Sequence, residues 1–180
     1  MEQRYLILVD EQSQEDRLKR IARSLRNEGI LLVYEEINPN ECSVRKDNGD
    51  LSLDKVALEN KLASISFLSH LDVFATDYNL VTDELKGIDM IEMLYSLQPH
   101  YRKQVVIYSA QIDEVIDDII TKRAKGFKQQ VEMLKILAQT DIHYLSGEGE
   151  FENEFKSLIA KEPDITIDSR LIVFFAYIEL

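Results

Sequence analysis

Cysteine is nearly absent from this chain: the 180 residues hold one, Cys42. A lone thiol closes no internal disulfide, and without a paired cysteine or a Cys/His cluster the sequence offers no zinc site. Cys42 is expected to be a structural thiol. Basic residues are also few. Lys and Arg number 21 against 33 Asp and Glu, for a formal charge of −12. That balance argues against a nucleic-acid surface, which needs clustered cations to neutralise phosphates, and against docking on an anionic membrane. Long apolar runs are missing as well. The densest, LIVFFAYI at 171–178, falls far short of the roughly 20 residues that span a bilayer. The opening MEQRYLILVDEQ has neither the basic region, the apolar segment nor the cleavage site of a signal peptide. A cytoplasmic protein is the expectation. Internal repeats and low-complexity linkers are absent too, so a chain of this length reads as one domain.

What is present is an alternation of two patterns. Residues 5–9 (YLILV), 30–33, 73–76, 104–108 (QVVIY) and 142–145 are short apolar runs without regular alternation, as expected of strands buried on both faces. Between them, apolar residues recur at helical spacing: Leu18, Ile21, Ala22 and Leu25; Val56, Leu62, Ala63 and Ile65 within 53–68; Ile88, Ile91, Leu94 and Tyr95 before Pro99. A long helical region, or two broken helices, occupies 112–139, and a last helix runs from about 150 to 160. Ser13 with Asp16 has the form of a capping box at the first helix. NPNECSVRKDNGDLS reads as a long loop or small hairpin, and VTDELKG as a loop. Strand–helix units repeated five times favour an α/β domain with a parallel sheet and helices on both faces. It covers residues 1–162, with 163–180 as an extension whose apolar run packs on the core or forms a dimer.

In such a sheet, ligands bind beyond the carboxyl ends of the strands, where the strand order reverses. Asp10 and Glu11 follow the first strand, Asp77 the third, and Ser109 the fourth. If those strands are neighbours, the acids converge, and two like charges about 4 Å apart repel by roughly 4 kcal/mol at an effective dielectric of 20. Raised pKa values, water or a cation must offset that repulsion. Mg²⁺ suits such a site, since it takes carboxylate oxygens, keeps waters and accepts a phosphate as a further ligand. An aspartate beside it is a competent nucleophile toward phosphorus.

The set LVDEQ, FATDYNL…KGIDMIEML and VVIYSAQ resembles the receiver domain of two-component response regulators, over roughly residues 4–160. The resemblance implies a flavodoxin-like doubly wound five-stranded parallel sheet. It implies that Asp10 and Glu11 bind Mg²⁺, that a histidine kinase or phosphotransfer protein phosphorylates Asp77, and that the backbone carbonyl of Asn79 completes the metal site. It makes Ser109, with small Ala110 beside it, the hydroxyl that binds the phosphoryl group. It places the protein partner on the face built by the fourth helix, fifth strand and fifth helix.

Departures accompany it. The family's lysine after the fifth strand falls here on Ser146 or Gly147, and the usual proline is absent. Lys86, Lys103 and Lys125 are candidates to reach in from elsewhere in its place. The fourth-helix region is enlarged, and Tyr144 or His143 stands where the family has its aromatic switch residue. The plainer readings are these: Asp77 is a strand-end acid bonded to its loop, Asp10 and Glu11 favour a helix dipole, and Ser109 is an ordinary strand-end serine. His70, His100 and His143 share no ligand spacing, and the basic stretch TKRAKGFK is a solvated helix face. Two functions follow. One is a phosphorylatable receiver; the alternative is a pseudo-receiver that binds partners without turning over phosphate. A Mg²⁺-dependent phosphohydrolase fits less well, because the position two residues after Asp77 is Asn79 rather than a second aspartate. Any enzymatic activity is limited to phosphorylation and dephosphorylation of Asp77 itself.

Overall fold

A computed structural model describes residues 1–45, 51–81, 84–101, 103–109, 131, 135, 141–144 and 148–161. The elements in chain order are β1 (Glu2–Val9), α1 (Glu15–Asn27), β2 (Ile30–Ile37), β3 (Ser43–Arg45), β4 (Leu51–Leu53), α2 (Lys55–Ala63), β5 (Val73–Asp77), β6 (Asn79–Val81), β7 (Leu85–Lys86), α3 (Gly87–Leu97), β8 (Gln104–Ser109), β9 (Asp141–Tyr144) and α4 (Glu148–Ala160). Of the region 112–139 read as helical, only Val131 and Lys135 fall among the described residues, both helical. Ala110, Lys125, Ser146, Gly147 and the extension 163–180 lie outside them.

The apolar runs do what their composition requires. Strands β1, β2, β5, β8 and β9 pair in parallel in the order β2-β1-β5-β8-β9. This is the flavodoxin-like, doubly wound sheet. Alternate residues of each strand face opposite sides, and both sides are covered. On one, Leu18, Ile21 and Leu25 of α1 and Phe151, Phe155 and Ile159 of α4 pack on Leu6, Leu8, Val73, Ala75, Val106 and Tyr108. On the other, Leu58 and Leu62 of α2 and Ile88, Ile91 and Leu94 of α3 cover Ile7, Val9, Phe74, Val105 and Ile107. Each fully buried Leu or Phe stabilises the fold by about 1.5–3 kcal/mol. Among the described residues, no helix is long and apolar enough to cross a membrane.

Local readings are settled or shifted in five places. The second strand runs on to Ile37. The second helix is shorter than 53–68: Asp54 caps its first turn by accepting from the Val56 and Ala57 N–H groups, and it ends at Ala63. The polar segment after β2 forms an antiparallel ribbon of β3 and β4, the small hairpin of the two readings. VTDELKG is no plain loop, because β6 and β7 pair antiparallel across it. The capping box at Ser13 does not form. Gln14 precedes α1 without a side-chain cap, and its N–H donates to Glu36 of β2 instead.

Candidate functional site

Strands β1 and β5 are neighbours, and the chain leaves β1 for β2 on one side and returns through β5 to β8 on the other. The carboxyl ends of β1 and β5 therefore flank the point where the winding reverses, where open α/β sheets form their ligand crevice. Asp10 and Asp77 stand at those two ends.

Asp10 directly follows β1, and its N–H extends the ladder by donating to the Ile37 carbonyl at 3.1 Å. The alternation of Leu6 and Leu8 carries its side chain to the α1 side of the sheet, where it is only 3% exposed. A buried carboxylate needs donors, and Asp10 has several. Its Oδ2 accepts from the Tyr108 hydroxyl at 2.8 Å and from Gln14 Nε2 at 3.0 Å, while Oδ1 accepts from the Gln12 N–H at 2.8 Å. Gln14 is held in turn by Arg17, whose Nη1 donates to Gln14 Oε1 at 3.0 Å. Burial, with Asp10 beside it, pushes the Tyr108 hydroxyl well above its usual pKa of 10, so it stays a donor. The Tyr108 ring lies 5.4 Å from that of Phe151 in α4.

Asp77 closes β5 and pairs in register with Tyr108. It is half-buried, and its Oδ1 accepts the Asn79 N–H at a long 3.4 Å. Its carboxyl is pushed up to about 6, first by burial and then by the negative charge of Asp10; hydrogen bonds from the Asn79 and Tyr78 backbones oppose the rise, and Glu11 adds a smaller push. Like charges at close range raise one another in this way. The two aspartates thus act on one another at the carboxyl edge of the sheet, and among the described residues Asp10 is better supplied with donors than Asp77.

The backbone around Asp77 is tightly fitted. Thr76 is fully buried and its hydroxyl donates to the Asp77 carbonyl at 2.9 Å. The Gly87 N–H donates to the Tyr78 carbonyl at 2.8 Å. A Cβ on Gly87 would stand 2.4 Å from the Asp77 carbonyl oxygen, so only glycine lets α3 start there. The N–H of Lys86 donates to Asp89 Oδ2 at 2.7 Å, capping the helix from its first turn. The Lys86 ammonium lies 2.8 Å from Asn79 Oδ1 and 5.5 Å from the centre of the Tyr78 ring.

Of the residues singled out in the sequence, the fold brings Asp10 and Asp77 together, with Asn79 beside them and Glu11 acting on Asp77 through space. Among the described residues, no three His, Cys, Asp or Glu side chains group closely enough to hold a metal ion by themselves. Ser109 is buried at the carboxyl end of β8, pairing with Tyr144. It follows Tyr108 and so alternates to the other side of that strand. His143 and Tyr144 both belong to β9. Lys103 is elsewhere: it ion-pairs with Asp72 at 2.8 Å, before the amino end of β5, where Arg4 also approaches Asp72. Cys42 is buried, as a structural thiol should be. Sequence reasoning passed over Tyr108 and Gln14. A signal existed for the tyrosine, since its polar tip directly follows the buried aliphatic run Val105–Ile107.

No protein-family model and no curated protein matches the chain. Among solved structures, it is similar to the chemotaxis protein CheY4 of Vibrio cholerae, with 10% identity and a TM-score of 0.44 over 87% of this chain and 98% of that one. It is similar to a structure described as a transiently phosphorylated "switch" in bacterial signal transduction, with 18% identity and a TM-score of 0.36 over 73% of this chain and 90% of the other. It is also similar to DJ-1beta of Drosophila melanogaster, with 13% identity and a TM-score of 0.32 over 97% and 98% of the two chains. At these values none of the three carries an argument about activity, which rests on the crevice itself.

Proposed function

We propose that this chain is a receiver-like signalling domain that accepts a phosphoryl group on Asp77 and changes its binding to a protein partner as a result. The observation that carries the reading is the half-buried Asp77 at the switch point, raised to about 6 by burial and by the facing Asp10. Such a carboxylate is ionised at pH 7.5, more basic than an ordinary aspartate, and among the described residues has few hydrogen-bond donors. In the reaction, an Asp77 oxygen attacks phosphorus while the bond to the donor breaks: P–N for a histidine kinase or phosphotransfer protein, P–O for a small acyl phosphate. With an acyl phosphate the carboxylate's negative charge leaves on the carboxylate released; a phosphohistidine protonated on its other ring nitrogen leaves as neutral imidazole.

The donor set fits a hard divalent cation. Three of the roughly four acceptor positions on the Asp10 carboxylate are taken by Tyr108, Gln14 and Gln12, which leaves one for a metal bond. Asp77, the Asn79 carbonyl and Glu11 are oxygen donors of the kind Mg²⁺ prefers, with water for the rest of its shell. When bound, Mg²⁺ supplies positive charge that lets a dianionic phosphoryl group approach two aspartates. Asp10 is fixed for this by its own donors, and Ser109 stands at the same edge of the sheet.

One observation favours the second reading, a pseudo-receiver that binds partners without phosphorylation: the buried charge of Asp10 is already satisfied by protein donors and needs no cation. The scarcity of donors on Asp77 among the described residues favours the first. Intact-mass measurement after incubation with Mg²⁺ and acetyl phosphate separates them. A gain of one phosphate by the wild type, absent in Asp77→Asn and in the presence of a chelator, supports the receiver. No gain with acetyl phosphate or with a phosphorylated histidine kinase domain leaves the pseudo-receiver.

A further inference from the structure

Several lysines of this acidic chain sit against carboxylates. Lys19 lies 2.8 Å from Glu15, Lys61 lies 2.6 Å from Glu41, Lys103 lies 2.8 Å from Asp72, and Lys156 pairs with Glu28. Lys86 differs. Its ammonium touches neutral groups among the described residues, namely the Asn79 side-chain oxygen at 2.8 Å and the face of Tyr78. In a chain of net charge −12, a cation placed against neutral partners keeps its charge available to a further anion.

Its position tells which anion. Asn79 and Lys86 are opposite partners in the β6–β7 ribbon, and Asn79 is two residues from Asp77. The next residue, Gly87, presses so closely on the Asp77 carbonyl that no Cβ fits between them. The backbone of Lys86 is therefore pinned beside that of Asp77, within reach of a four-carbon side chain. Asn79 and the buried Tyr78 hold the ammonium beside the two residues that directly follow Asp77.

We propose that Lys86 is the cationic partner of the phosphoryl group on Asp77: its ammonium moves from Asn79 to a phosphoryl oxygen as transfer proceeds. This rests on the reading of Asp77 as phosphoacceptor. The step balances without further reactants. The Asp77 carboxylate attacks acetyl phosphate, the P–O bond to acetate breaks, acetate leaves with one negative charge, and the dianionic phosphoryl group on Asp77 accepts a hydrogen bond from Lys86, which keeps its proton.

The test follows phosphate uptake by intact mass over time, with Mg²⁺ and a range of acetyl phosphate concentrations. Lys86→Gln, which keeps a donor for Asn79 but loses the charge, is compared with wild type and Lys86→Arg; Lys86→Met serves if the Gln variant does not fold by circular dichroism. The expected result is uptake slowed at least about tenfold in Lys86→Gln, largely restored in Lys86→Arg, with unchanged affinity for Mg²⁺ alone. Uptake at the wild-type rate in Lys86→Gln, or an Arg variant no faster than Gln, overturns the role of Lys86 while leaving Asp77 as acceptor. A wild type that takes up no phosphate overturns the acceptor reading and the role of Lys86 with it.

Discussion

Replacing Asp77 with Asn should stabilise the protein, because the folded state holds this carboxyl where its charged form is disfavoured. The carboxyl is raised from 3.8 to about 6 by burial and by Asp10. At about 1.36 kcal/mol per tenfold change, a rise of that size is at most about 3 kcal/mol, and solvent at this partly exposed group screens it to about 1–2 kcal/mol. The direction follows from linkage. A carboxyl with a folded pKa above its unfolded one binds more protons in the folded state, so its contribution is unimpaired below the unfolded value of 3.8 and is lost as pH rises through about 6. Asparagine keeps the shape and the acceptor for the Asn79 N–H while removing the charge. Urea unfolding at pH 7.5 should show Asp77→Asn more stable by about 1–2 kcal/mol, and the gap should shrink by about half at pH 5. Equal stability at pH 7.5, or a gap that widens on acidification, would refute the reasoning.

Three further outcomes follow from the same geometry. Asp10→Asn should bring the Asp77 pKa down from about 6 without returning it to 3.8, because burial is the larger cause; carbon-13 NMR titration of the Asp77 carboxyl reads this, and no downward shift contradicts the action of Asp10 on Asp77. Tyr108→Phe removes the hydroxyl that donates to Asp10 Oδ2 at 2.8 Å and should cost about 1.5–3 kcal/mol, as for hydrogen bonds to charged groups, measured by urea unfolding at pH 7.5; an unchanged midpoint contradicts that bond. Gly87→Ala places a Cβ 2.4 Å from the Asp77 carbonyl oxygen and should cost about 1–3 kcal/mol through backbone displacement while also slowing phosphate uptake; wild-type stability would show that α3 is not pinned there.

Much of this was legible in the chain. Uninterrupted apolar runs such as YLILV and QVVIY mark strands buried on both faces, and the helical spacing of Leu18, Ile21 and Leu25 is the same spacing that packs α1 on the sheet. The acids were legible because a charge directly after a buried strand can only stand at the sheet's edge. What the sequence concealed depends on contacts between distant segments. Tyr108 looks like one more core aromatic until the pairing of β5 with β8 and the neighbouring β1 bring its hydroxyl to Asp10, 98 residues away. Ser13 and Asp16 have the local form of a cap, but Glu36 from β2 accepts both the Ser13 hydroxyl and the Gln14 N–H, and α1 starts one residue later, with Gln14 at its cap position. Lys103 and Lys86 were equal candidates in sequence. The parallel sheet separates them, sending one to the amino edge beside Asp72 and the other to the carboxyl edge beside Asn79.

The most direct measurement is to locate the phosphoryl group. Borohydride reduction of protein treated with Mg²⁺ and acetyl phosphate converts an aspartyl phosphate to homoserine, which peptide mass spectrometry places in the chain. Phosphoryl acceptance at the switch point predicts homoserine at position 77 and at no other aspartate. Homoserine elsewhere, or an unmodified Asp77 in protein that has gained phosphate, would contradict it.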